Sequence, residues 1–117
     1  MSAAPSTIES ADAFVLDGVE HLRREDRVAA IASLIIGICY GSDDAMLWLG
    51  FAFADEAKAT GDMGLHFRAL GWFALAALAG VEHGEQVFGH HFAELSDDYR
   101  AVWAEASPYT WAGVAVH

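Results

Sequence analysis

A chain of 117 residues has material for one hydrophobic core, and 55% hydrophobic against 20% charged residues argues against intrinsic disorder, because enough apolar surface is present to offset the entropy of ordering. Seventeen acids against six Lys and Arg give a formal charge of −11, which argues against direct binding of nucleic acid, since phosphate contacts need cations, and favours a basic protein partner. The apolar runs Val28–Tyr40 and Ala69–Val81 span only thirteen residues each, short of the roughly 20 that cross a bilayer, so no membrane partner is expected.

The first residues, MSAAPSTIESADAF, carry no Lys or Arg and no apolar core before the first acid, so they do not read as a secretory signal and a cytoplasmic location is expected. Ser6 or Ser10 is a candidate cap for a first helix running to about Leu22. HLRREDR, residues 21–27, reads as a solvated linker of mixed charge. A second helix is expected near Arg27–Tyr40, holding the single cysteine, Cys39, among apolar neighbours, with Gly41 as its stop. Asp43 is the candidate cap of a third helix to about Ala57, and Gly61 its stop. Further helices are expected near Gly64–Gly80, Glu82–Leu95 and Asp97–Ala106, with Ser96 as a cap and Gly80 and Pro108 as stops. The tail PYTWAGVAVH follows Pro108 and is expected to fold back over the open end of the helices or to reach a second copy.

One stretch demands explanation. RALGWFALAALAG, Arg68 to Gly80, is apolar on nearly every side of a helix, and such a helix must be covered all round. A repeat supplies the cover. Phe14, Phe53 and Phe92 are spaced by 39 residues, and the same shift aligns Gly41 with Gly80, Gly50 with Gly89, Ala30 with Ala69, Leu34 with Phe73, Leu49 with Phe88 and Asp55 with Glu94. The expectation is a single all-α domain, a short α-solenoid of about three stacked helical hairpins with units near 6–44, 45–83 and 84–117, the last shortened and capping. The second helix of the middle unit would then be wrapped by its partner and by both neighbouring units.

Within this frame Ala45, Leu49, Gly50 and Phe53, followed by Ala69, Trp72, Phe73, Ala76, Ala77 and Gly80, resemble the Sel-like repeat, a relative of the tetratricopeptide repeat with the pattern A-xxx-LG-xx-Y and then A-xx-W-Y-xx-AA-xx-G. The next unit opens similarly with Gly84, Phe88, Gly89 and Phe92. The first unit departs from the pattern at Ser10, Ala11 and Ser33, and in the last unit the run Arg100–Trp103 arrives early. The resemblance implies an adaptor, regulator or scaffold that binds proteins, with no cofactor and no shared catalytic residues.

If Ala45, Leu49, Gly50 and Phe53 face inward, Trp48, Phe51 and Asp55 share another side of the same helix. The equivalent positions are Glu9, Asp12 and Leu16 in the first unit and Val87, His90 and Glu94 in the third. These nine residues form the expected partner-binding surface, acidic with an aromatic centre and suited to a basic segment. A small inhibitor of the immunity-protein kind, or one that mimics nucleic-acid charge, would have this size and charge. The competing expectation is that Trp48 and Phe51 are ordinary packed residues.

Two further readings compete with this one. The first is a homo-oligomeric scaffold associating through apolar surface that includes Trp103 and Trp111, with a homodimer its simplest form. The second is a metal-binding or enzymatic helical protein using His83, His90 and His91; His90 and Glu94 have ligand spacing, but His90 and His91 diverge by about 100 degrees and no H-E-x-x-H spacing occurs. No nucleophile–base arrangement, phosphate loop or G-x-S-x-G is present in the sequence, so an enzyme is not expected. The acid pairs Asp43-Asp44 and Asp97-Asp98 stand where helices begin and suit the positive end of the dipole.

Overall fold

A computed structural model describes residues 7–114, with side chains from residue 10 onward. Over this range the chain is all-α: seven helices and no strand, in the order α1 (Thr7–Arg23), α2 (Arg27–Cys39), α3 (Asp44–Thr60), α4 (Met63–Leu78), α5 (Gly84–Ala93), α6 (Asp97–Ala104) and α7 (Pro108–Ala112). None of them is long and apolar enough to cross a membrane.

Short polar side chains start most of these helices by accepting from amide groups of the first turn. Asp26 accepts from the Ala29 amide at 3.2 Å, Asp62 from Gly64 at 2.8 Å, Ser96 from Tyr99 at 3.3 Å and Ser107 from Thr110 at 3.2 Å. At α3 the expected cap is displaced by one residue. Asp43 makes no capping bond, and the Ser42 hydroxyl accepts from Ala45 at 3.3 Å instead. Ser6 lies outside the described residues, and Ser10 falls inside α1.

The expected stops at Gly41, Gly61 and Gly80 all hold, each in the left-handed region that a side chain resists. The turns after α2 and α4 are the same structure 39 residues apart. Tyr40 N–H bonds to the Ile36 carbonyl, Gly41 to Ile38 and Ser42 to Gly37; Ala79 bonds to Leu75, Gly80 to Ala77 and Val81 to Ala76. Pro108 is not a stop. The chain ends α6 at Ala104, and Pro108 occupies the first turn of α7, where its missing N–H has no helical partner to lose.

α1 packs on α2, α2 on α3 and α3 on α4, and α1 also touches α3. α4 is flanked by α3, α5 and α7. That arrangement accounts for its composition: Phe67 and every residue from Ala69 to Ala76 are buried, and Phe73 and Leu70 are fully so. α4 feeds two cores. Ala69, Trp72 and Phe73 join Leu34, Leu49 and Phe53 in one, while Phe67, Leu70 and Ala74 join Leu95 and Trp103 in the other. Ala45, Leu49, Gly50 and Phe53 face inward as expected. Leu34 and Phe73, matched by the 39-residue shift, are both completely buried.

The C-terminal helices are short and pack differently from those before them. α6 has only eight residues and packs Trp103 against the stacked rings of Phe88 and Phe92, with ring centroids 5.3 and 5.8 Å away. α7 takes the remaining space on α4. Its backbone lies so close to Gly71 that an added Cβ there would stand 2.5 Å from the Ala112 nitrogen. Arg68 fastens the end of α7, donating to the Ala112 carbonyl at 3.3 Å while its guanidinium sits 4.6 Å from the centre of the Phe53 ring. Trp111 donates to the Trp103 carbonyl at 2.6 Å, and Trp103 donates to the Phe67 carbonyl at 3.2 Å. Residues 108–114 therefore fold back onto α4.

Candidate partner-binding face

α3 shares one open cleft with α1 and another with α4 and the end of α5. The first, of about 420 Å³, is walled by Val19, Leu22 and Arg23 of α1 and by Trp48, Phe51 and Asp55 of α3. The second, of about 490 Å³, runs from Phe51, Asp55 and Lys58 past Asp62, Met63 and His66 to His91, Glu94 and Leu95 at the end of α5. Phe51 and Asp55, one helical turn apart, belong to both.

Of the nine residues expected on this face, the clefts bring together Trp48, Phe51, Asp55 and Glu94. Asp55 and Glu94 are exposed. Trp48 and Phe51 are half-buried: each packs on the core, and their rings lie 5.7 Å apart. They thus combine a packing role with a cleft-lining one. Asp12 and Leu16 are exposed on α1 but line neither cleft; Val19, Leu22 and Arg23 take that place, because α1 meets α3 through its C-terminal half. The side chain of Glu9 lies outside the described ones. Val87 is half-buried against the core and contributes its carbonyl, which receives the His91 Nδ1 at 2.9 Å.

His90 does not line the cleft. It stands exposed, 3.2 Å from Glu94. His91 faces inward instead, with its ring 4.7 Å from Phe73 and 6.3 Å from Phe51. α5 is therefore turned by about one residue from the register that the 39-residue shift dictates. Gly50 and Gly89 show the same offset: a Cβ on Gly50 would meet the Phe73 ring at 2.4 Å, whereas one on Gly89 would meet nothing within 4 Å. On the same helix Phe88 and Phe92 both pack on Trp103.

His66 was not foreseen as a cleft residue. It lies in the first turn of α4, and its Nε2 is buried without a hydrogen-bond partner. Burial lowers its pKa below the usual histidine value, and neighbouring His91 adds to that; Glu94 and the His91 backbone oppose it. Near neutral pH the ring is thereby held uncharged beside an aromatic wall.

The charge lining the clefts is mixed, Lys58 standing with Asp55, Asp62 and Glu94 in the second and Arg23 with Asp55 in the first. Asp55 and Asp62 form no ion pair among the described residues, and with Glu94 they make the α5 end acidic. Toward α1, Arg23 and Lys58 come up beside Asp55. Arg27 is engaged by Glu56 across the α2–α3 junction, and Arg24 by Glu20 at 3.2 Å.

His83, at the start of α5, is turned to Gln86 at 3.1 Å and to Glu82 at 3.5 Å, away from His90 and His91. Among the described residues no group of three or more His, Cys, Asp or Glu is arranged to hold a metal ion. No protein-family model, curated protein or solved structure matches the chain.

Proposed function

We propose that this protein is a non-enzymatic binding module, a short α-solenoid of the Sel-like-repeat kind, that holds a basic protein partner on the α1/α3/α5 face. Support for the solenoid comes from the turns after α2 and α4, which repeat bond for bond at 39 residues, and from the contacts of α1 with α2 and α3. The partner reading is carried by one observation: the two clefts share Phe51 and Asp55, so an aromatic ring with a carboxylate beside it stands at the junction of two apolar-floored grooves. A lysine or arginine side chain laid along Phe51 packs its methylene stem on the ring and brings its charge to Asp55 and Glu94.

The divided charge also orients the partner. Its basic residues face Asp62 and Glu94 at the α5 end, and an acidic residue or the negative end of its own helix faces Arg23 at the α1 end. A module of this kind inhibits or regulates its partner by covering a basic surface, as an immunity protein or a mimic of nucleic-acid charge does.

Calorimetric titration with an amphipathic leucine–lysine peptide tests the reading. Affinity is expected to fall as salt rises from about 50 to 300 mM, because exposed charge pairs are screened within about 10 Å at 0.1 M. Asp55→Lys is expected to weaken binding about tenfold or more, the consequence of losing a contact worth at least about 1.4 kcal/mol. Asp98→Lys changes the net charge identically, lies away from the clefts and should alter affinity little. Equal losses for both substitutions would mean that the peptide follows net charge and that the clefts are not a site.

A further inference from the structure

The second cleft holds two imidazole rings to which the capture of a basic segment gives no part. His66 enters it from the first turn of α4 and His91 from the last turn of α5, and both are half-buried. The His66 Nε2 is buried without a hydrogen-bond partner, so a proton added there has no acceptor. On His91 the Nδ1 lies 2.9 Å from the Val87 carbonyl, which can only accept. That nitrogen therefore carries the hydrogen of the neutral ring, and Nε2 is where a second proton goes. Charged groups face the pair from three directions: Asp55 and Lys58 on α3, Asp62 in the turn before α4, and Glu94 at the end of α5. His90, its ring centroid 5.4 Å from that of His91, is turned outward to Glu94. Arg100, engaged by Asp97, reaches the Ala93 carbonyl, and α7 contains no charged residue.

We propose that His66 and His91 make this cleft a pH gate, open to a basic segment while both rings are uncharged and closed to it when they are charged in mildly acid solution. The gate rests on the basic-partner reading of the clefts. Three carboxylates against Lys58 leave the lining with two negative charges in excess, and two imidazolium rings cancel them. A lysine laid along Phe51 then meets no net attraction from the α5 end. Burial, with neighbouring His91 adding to it, holds His66 below the ordinary histidine value, so the gate stands open at neutral pH and shuts as pH falls through that lower value. The coupling is reciprocal: a bound cation makes His66 harder to protonate.

The test is calorimetric titration of the full chain with the leucine–lysine peptide, acetylated at its N-terminus so that its lysines alone carry charge and stay charged throughout. At fixed ionic strength its affinity is expected to fall about threefold or more between about pH 7.5 and pH 5.5. His66→Gln should flatten that dependence, and His66→Gln with His91→Gln should remove it. His90→Gln, at an exposed position outside the cleft, should keep it. Histidine resonances followed by nuclear magnetic resonance give the reciprocal readout, with His66 titrating at lower pH once peptide is bound. Equal affinity at both pH values, or a fall that His66→Gln leaves unchanged, would overturn the gate while the basic-partner site stands. A fall abolished by His90→Gln would overturn it too, assigning the effect to the exposed His90–Glu94 pair. Absence of binding at about pH 7.5 would remove the site and the gate together.

Discussion

Glycine positions show at single-residue resolution where the helices touch. At Gly50 and Gly71 a methyl group would enter the Phe73 ring and the α7 backbone respectively, so Gly50→Ala and Gly71→Ala are each expected to cost about 1–3 kcal/mol. Gly89 is also helical but faces open space, and there alanine is expected to stabilise by about 0.5–1 kcal/mol through helix propensity. Urea denaturation of the three variants checks both signs. Gly50 and Gly89 occupy matched positions in the sequence, but Gly50 is followed by Phe51 and Ala52 where Gly89 is followed by His90 and His91, and the ring that closes on Gly50 is Phe73, 23 positions away. His66 gives a second residue-scale prediction. Its folded pKa is depressed, so the unfolded state binds its proton more readily. Its contribution to stability is thus fully present above the ordinary histidine pKa near 6.5 and is lost as pH falls through the lower folded value. Wild type is expected to lose more stability than His66→Gln between about pH 7.5 and pH 5, and identical losses would contradict the buried environment.

Among the elements, six helices were legible because apolar periodicity, short polar caps and glycine stops coincide at their ends. α7 was not. Pro108 is as consistent with starting a helix as with ending one, and which applies was decided by the space that the short α6 leaves on α4. The orientation of α5 was hidden for a related reason: the 39-residue shift assigns His90 to the groove, but His91 is the residue that packs on Phe73 and Phe51. This register is directly testable. His91→Ala, which removes a ring packed on Phe73 and Phe51, is expected to cost about 1–3 kcal/mol, whereas His90→Ala at an exposed site should stay within about 0.5 kcal/mol of wild type. Thermal unfolding of the pair decides the matter, and the reverse order would place α5 in the repeat register.

On the scale of the whole molecule, charge is sorted by helix: α1, α3 and α5 contain acids, while α2, α4 and α7 contain none. In the proposed solenoid this sorting follows from the two-helix unit, because each first helix would return to one side of the stack and each second helix to the other. The aromatic and acidic centre of the groove, Trp48, Phe51 and Asp55, was readable from one helix's periodicity. The contributions of Val19, Leu22, Arg23, His66 and His91 were not, since they depend on how neighbouring helices are set against α3. The central claim is that the shared Phe51–Asp55 position receives a basic segment, and the most direct measurement is an amide and side-chain nuclear magnetic resonance map during titration with the leucine–lysine peptide. Shifts concentrated on Phe51, Asp55, His91 and Glu94, with α2 and α7 unmoved, are predicted. Shifts scattered over all acidic residues, or centred on α2 and α7, would contradict the account.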